Sequence, residues 1–173
     1  GHRHITALGI GNNDLYSVSR QRGIESVYAE RGFDPAHYLR HIPLPSNYKT
    51  YYEAGRNSAS LVWNPAMKNQ PNRSTAVLAW NDRVAIGLLD GLREMGVRVP
   101  EDLSIIGYDN MEVSAFTSPP LTTIDAQPDA LVQLATEHLL AHIDQDKAIS
   151  RLPNTVSTQL IIRGSTAPSP GRK

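Results

Sequence analysis

Apolar runs of strand length alternate with helically spaced apolar positions along most of the chain. Residues 5–10 ("ITALGI") read as a strand. Residues 17–32 read as a helix, because Ile24, Val27, Tyr28 and Arg31 recur at helical spacing and Gly32 stops it. "HIPLPSNY" carries two prolines in three positions and predicts a loop. Residues 51–63 predict a second, weaker helix, and residues 74–79 a strand. Residues 82–95 predict a helix with Val84, Leu88, Leu92 and Met95 on one stripe and Gly96 as its stop. A turn then leads to a strand at 103–107, and "SPPLTTI" to a short extended piece at 121–125. Residues 129–144 predict a helix that turns Leu131, Ala135, Leu139 and Ile143 towards a core. "NTVSTQLIIRG" reads as a last strand, and the tail "STAPSPGRK" as polar and loose. Strands alternating with helices in this way predict an α/β fold: a parallel sheet in three layers, with helices on both faces.

In open α/β sheets, ligands sit at the carboxyl ends of the strands. Three predicted strands here end in polar groups: Asn12-Asn13-Asp14, Trp80-Asn81-Asp82, and Tyr108-Asp109-Asn110. In a parallel sheet these ends share one edge. Each also has a plain structural use. Asn81 or Asp82 can cap the helix that follows, and Asp109-Asn110 can form a turn. Arg20 heads the apolar stripe of its helix one turn before Ile24, with Gly23 permitting close backbone approach. It either snorkels to solvent or turns its guanidinium fork towards a ligand's oxygens. Trp80, and Tyr48, Tyr51 and Tyr52 in or near a loop, could lay aromatic faces against the C–H groups of a sugar.

Other chemistries find less support. "GIGNND" places Asp14 where a dinucleotide loop needs its third glycine, and that charge would repel a pyrophosphate. His138 and His142 have the spacing of a zinc helix, but "EHLLAH" lacks the glutamate after the first histidine and no third ligand stands out. They read as half-exposed helix residues, so no metal or other cofactor is expected. No catalytic triad, GxSxG or catalytic cysteine is present, which argues against an enzyme.

Composition narrows the partners. Seventeen basic residues balance seventeen acidic ones, so the chain lacks the basic excess with which a protein grips phosphates by itself. No apolar stretch is long enough to span a membrane. No signal peptide is visible and there is no cysteine, which fits the cytoplasm. The chain opens on Gly1-His2-Arg3-His4 and enters an apolar run at once, so it reads as a fragment.

Several stretches carry a resemblance. "GHRHITALGI", "SRQRGIESVYAERG", "STAVLAWNDRVAIGLLDGLREMGVRVPEDLSIIGYDN", "SPPLTTI" and "STQLIIRGST" resemble, in order, the second half of LacI/GalR-family transcriptional regulators over residues 1–167. Residues 75–124 are its most specific part. The resemblance implies a periplasmic-binding-protein-like effector domain of type I. On that pattern residues 1–125 are its C-terminal lobe without its first helix. Residues 126–149 are a helix that the family places in the other lobe, and 150–173 are the return strand and tail. It implies a cytoplasmic homodimer that binds a small effector, a sugar or purine-like metabolite, between lobes. Operator DNA would be bound through a helix-turn-helix absent from this chain. Arg20 matches the arginine of the family's R-x-x-G pattern, Asn81 the asparagine of A-N-D, and Asp109 the aspartate after G-[YF]. Asp82 then reads as the cap. Trp80 replaces a usually small residue, and should alter the pocket wall. The family's aromatic wall falls to one of Tyr48, Tyr51 and Tyr52, with Tyr48 taken as the candidate contact, and Asn12 completes the candidate edge. The rival readings are a solute-binding protein of sugar transport and, more remotely, an α/β enzyme using the same edge. A lobe without its mate should also self-associate, by dimerisation or by exchange of the helix at 128–144.

Overall fold

The computed structural model describes residues 1–11, 15–67, 70–143 and 153–170. Its chain order is β1 (Ile5–Leu8), α1 (Leu15–Glu30), α2 (Pro35–Tyr38), β2 (Leu39–Ile42), α3 (Tyr51–Asn57), α4 (Ala59–Val62), β3 (Ala76–Ala79), α5 (Asp82–Glu94), β4 (Ser104–Tyr108), β5 (Thr122–Asp125), α6 (Pro128–Ile143) and β6 (Gln159–Ile161). The strands form one sheet in the order β2-β1-β3-β4-β5-β6. All pairs are parallel except β5–β6, which is antiparallel.

Side chains alternate across the strands, so the sheet feeds two cores. On one face Leu8, Val77, Ala79, Ile105 and Leu121 pack with Val84, Leu88 and Leu92 of α5 and Ala59 and Val62 of α4. On the other, Ala7 and Leu39 pack with Tyr28, Ile5, Ile24 and Leu78, which brings in α1. Leu8, Leu88, Leu92 and Ile105 are fully buried, worth about 1.5–3 kcal/mol each. Helices α3 and α5 meet at glycines: a Cβ on Gly55 would collide with the Val84 carbonyl, and one on Gly87 with the Tyr52 carbonyl.

Several expectations change. The first strand stops at Leu8, because Gly9 takes a left-handed φ of 76° and turns the chain. The start of "HIPLPSNY" is not loop: His41 and Ile42 finish β2, and the prolines follow it. The helix expected at 51–63 divides at Ser58. The last strand shrinks to three residues and runs antiparallel. The tail is anchored rather than loose as far as Ala167. Ser165 is buried, receives a hydrogen bond from Thr122 N (2.8 Å) and donates one to the Ile105 carbonyl (2.7 Å). The Ala167 carbonyl is engaged by the His2 ring at 2.9 Å.

Helix α6 forms, but none of its residues is buried; Leu131, Leu139 and Ile143 are more than half exposed. Helical periodicity predicts an apolar face and not its partner, and among the described residues that face meets no core.

Candidate functional site

Strands β3 and β4 run in register, with Leu78 opposite Ile106. Two residues further on, Trp80 and Tyr108 therefore finish side by side at the carboxyl edge. Arg20 of α1 reaches over both. Its guanidinium carbon lies 4.4 Å from the Trp80 ring centroid and 3.7 Å from that of Tyr108. Its Nη1 donates to the Trp80 carbonyl at 2.5 Å. Of the two readings of Arg20, the snorkelling one falls: the charge turns inward onto the strand ends. Gly23 serves no close approach, since nothing lies within 4 Å of where its Cβ would be.

The capping question also resolves. Asn81 is the N-cap of α5: its Oδ1 accepts from Val84 N at 2.9 Å, in extended backbone. That leaves its Nδ2 without a partner among the described residues. Asp82, expected as the cap, is instead fully buried beneath the edge. It accepts from Met111 N (2.8 Å), Ser114 Oγ (2.5 Å) and Thr123 Oγ1 (2.6 Å). One carboxylate thus fastens α5 to the segment after β4 and to β5.

Asp109 stands just past β4 at a φ of 107°, a left-handed conformation that costs a non-glycine residue about 1–3 kcal/mol. Its backbone N–H is held by the Ile124 carbonyl at 2.9 Å. Its carboxylate has no hydrogen-bond or ion-pair partner among the described residues. Desolvation, and then the Asp82 carboxylate, push its pKa above the usual aspartate value, while Arg20 and Arg83 pull it down. Local strain and an unused acceptor coincide here, as they do where a residue is held for a ligand.

Tyr48 stands before α3, on the side of Arg83. It lines a hollow of about 540 Å³ with Lys49, Thr50, Tyr51, Tyr52 and Arg83, and stands in ring contact with Tyr51. Tyr52 is occupied by the Asp90 carboxylate at 2.6 Å. Asn12 lies outside the described residues. A second groove of about 340 Å³ runs beneath α1, bounded by Ile24, Val27, Leu78, Ile106 and Ile124, with Arg20 and Tyr108 at its polar end. Sequence reading missed Tyr108 as the second ring on Arg20. The signal was available, since equal spacing from aligned strands puts it beside Trp80.

The edge therefore offers a fixed cationic fork, an amide donor, a carboxylate with no hydrogen-bond partner among the described residues, and two aromatic rings. Such a set suits a small polyhydroxyl ligand that both donates and accepts. Among the described residues, no helix is long and apolar enough to cross a membrane.

Residues 1–166 match the periplasmic-binding-protein-like domain family. The HTH-type transcriptional repressor PurR of Photobacterium profundum is 40% identical over 167 residues, covering 95% of this chain and 46% of that protein. The arabinose metabolism transcriptional repressor of Halalkalibacterium halodurans is 30% identical over 179 residues, covering 100% of this chain and 45% of its own length. The chain spans about half the length of the curated relatives it matches. Among solved structures, a LacI family regulator from Enterococcus faecium with bound ribose superimposes with a TM-score of 0.75 at 29% identity, over 97% of this chain and 58% of that one. A LacI family regulator from Bifidobacterium animalis gives 0.78 at 26% identity, over 98% and 57%. The chain belongs to the periplasmic-binding-protein-like domain family, and its relatives within that family are the effector-binding domains of LacI-family transcriptional regulators.

Proposed function

We propose that this chain is the effector-sensing part of a bacterial transcriptional regulator, and that its ligand is a small polyhydroxyl molecule, a sugar first and a purine-like metabolite second. The observation that carries this reading is the Asp109 carboxylate: without a hydrogen-bond partner among the described residues, held at a left-handed φ, on the same edge as Arg20 and as the Asn81 Nδ2, which likewise has no partner among them. Asp109 accepts from ligand hydroxyls, Arg20 and Asn81 donate to them, and Trp80 supplies an aromatic surface. Tyr48 and Asn12 are further ligand contacts on this reading. The bound ribose of the Enterococcus faecium relative supports the sugar class.

The mechanism is linkage rather than catalysis, with no cofactor required. A ligand that prefers one arrangement of the protein changes operator affinity by the same coupling free energy. Operator DNA is bound by a helix-turn-helix outside this chain, in a cytoplasmic homodimer. Residues 1–125 act as one lobe of the cleft, and residues 126–149 reach into the other. The exposed apolar stripe of α6 supports self-association, which light scattering would register as a mass above that of the monomer.

The test is calorimetry with D-ribose, L-arabinose and hypoxanthine on a regulator that contains this chain, beside its Asp109→Ala variant. Binding in the parent and its loss in a folded variant are expected. Equal affinity in the two removes Asp109 from the site. The isolated chain should bind more weakly, because a cleft ligand needs both walls.

A further inference from the structure

We infer that Asn110 is a positioning residue for Asp109, and that it ties this carboxylate to both chain crossings that lead into and out of α6. The inference rests on the effector-binding reading of Asp109 for its functional meaning, but its geometry stands apart from it. Asn110 follows Asp109 and is itself left-handed, with a φ of 50°. Asparagine tolerates that conformation better than most residues, which accounts for the residue type but not for what its side chain does. Both ends of its carboxamide are used. Its Nδ2 donates to Asp125 Oδ2 at 3.0 Å, and its Oδ1 accepts from Arg163 Nη2 at 2.7 Å.

The two partners sit at matching points of the topology. Asp125 is the last residue of β5, and its other oxygen accepts from Gln127 N at 2.7 Å, where the chain leaves the sheet for α6. Arg163 lies two residues past β6, the strand on which the chain returns. Its Nη1 donates to the Leu121 carbonyl at 2.7 Å, and its backbone N–H to Thr122 Oγ1 at 2.9 Å. One amide therefore bridges β4, the exit and the return. Helix α6 buries nothing of its own, so these two segments carry its attachment to the sheet. The β5–β6 ladder and the Gln127 Nε2 bond to the Ser157 carbonyl (2.9 Å) already pair these segments, and Asn110 adds their side-chain link to β4. A ligand that draws on Asp109 therefore pulls on a residue bonded to both and has a short route to the orientation of α6.

The test is amide hydrogen exchange on the full chain, comparing wild type with Asn110→Gly and Asn110→Asp. Glycine suits the left-handed backbone and removes only the bridge, so folding is preserved. Aspartate keeps an acceptor for Arg163 and sets a second carboxylate against Asp125. In both variants exchange should rise about tenfold at Gln127 and Arg163 as well as at Asp109, while Val77 and Ile105 stay protected. The Asp109 carboxyl should also titrate nearer the ordinary aspartate value in Asn110→Gly, as it swings away from Asp82 and into water while Arg20 and Arg83 remain. Faster exchange confined to residues 109–111, with an unmoved Asp109 titration, would overturn the bridge and leave Asn110 a turn residue. A D-ribose titration of the same samples is read separately: silence there counts against the effector reading, whereas the exchange pattern alone decides the bridge.

Discussion

Gly107 is the space into which the Asp82 carboxylate fits. A Cβ on Gly107 would collide with Asp82 Oδ1, so a glycine at the penultimate position of β4 and a buried acid at the start of α5 require each other. Gly107→Ala must displace a carboxylate that serves Met111, Ser114 and Thr123. Expected is a loss of about 2–4 kcal/mol in urea unfolding, from overpacking and stranded hydrogen bonds together. Asp82→Ala should cost a similar amount, and the double variant much less than the sum of the two. Simple additivity would show that the two residues are not coupled.

The α3–α5 crossing gives a control remote from the ligand edge. Gly87→Ala sets a methyl group against the Tyr52 carbonyl, and neither helix backbone can yield cheaply. A loss of about 3 kcal/mol by the same measurement is expected, with the Arg20 and Asp109 resonances unmoved at low denaturant. A neutral variant would mean that the helices sit further apart.

Arg20 and Trp80 should be energetically coupled with no ligand present. A double-mutant cycle of Trp80→Leu and Arg20→Met, read by urea unfolding, should give about 0.5–2 kcal/mol of interaction, the range for a cation over an aromatic face. Trp80→Phe should keep part of it. A coupling of zero would mean that the ring and the guanidinium merely share a neighbourhood.

Asp109 sets a pH dependence whose sign follows from its raised pKa. In the folded protein the carboxyl holds its proton to a higher pH than in the unfolded chain. Stability is therefore lost as pH rises from the ordinary aspartate value through the raised one. Asp109→Asn should escape this loss, so its advantage over wild type appears above that window and vanishes below it. Sugar affinity moves the other way: it needs the carboxylate and should fall as pH drops through the raised value. Parallel pH profiles for the two proteins would contradict both statements.

How much of this was legible in the sequence depends on the range of the interaction. The layers, most elements and the convergence of Arg20, Asn81 and Asp109 on one side of the sheet follow from local periodicity and strand order. The exchange of roles between Asn81 and Asp82 does not. Both residue types cap helices, and what takes Asp82 away is a pair of hydroxyls 32 and 41 residues further on. Strand β2 escaped notice because only its end residues are buried, so it shows no alternation. The tail looked loose because it is short and polar, yet the Ser165 hydroxyl completes the hydrogen bonding between β4 and the start of β5. Tyr48 is legible only by residue type, and the fold sets it beside Tyr51 in a hollow lined also by Arg83, whose charge acts on Asp109.

Chemical-shift mapping tests the effector edge most directly. The ¹⁵N-labelled chain is titrated with D-ribose, L-arabinose and hypoxanthine at millimolar concentrations, where weak binding still moves resonances. Expected are saturable shifts at Arg20 Nε, Trp80 Nε1, Asn81 Nδ2 and the Asp109 amide, all lost in Asp109→Ala. Saturable shifts confined to the hollow of Tyr51 and Arg83 or to the groove beneath α1, or no shift with any of the three, would contradict an effector site at these strand ends.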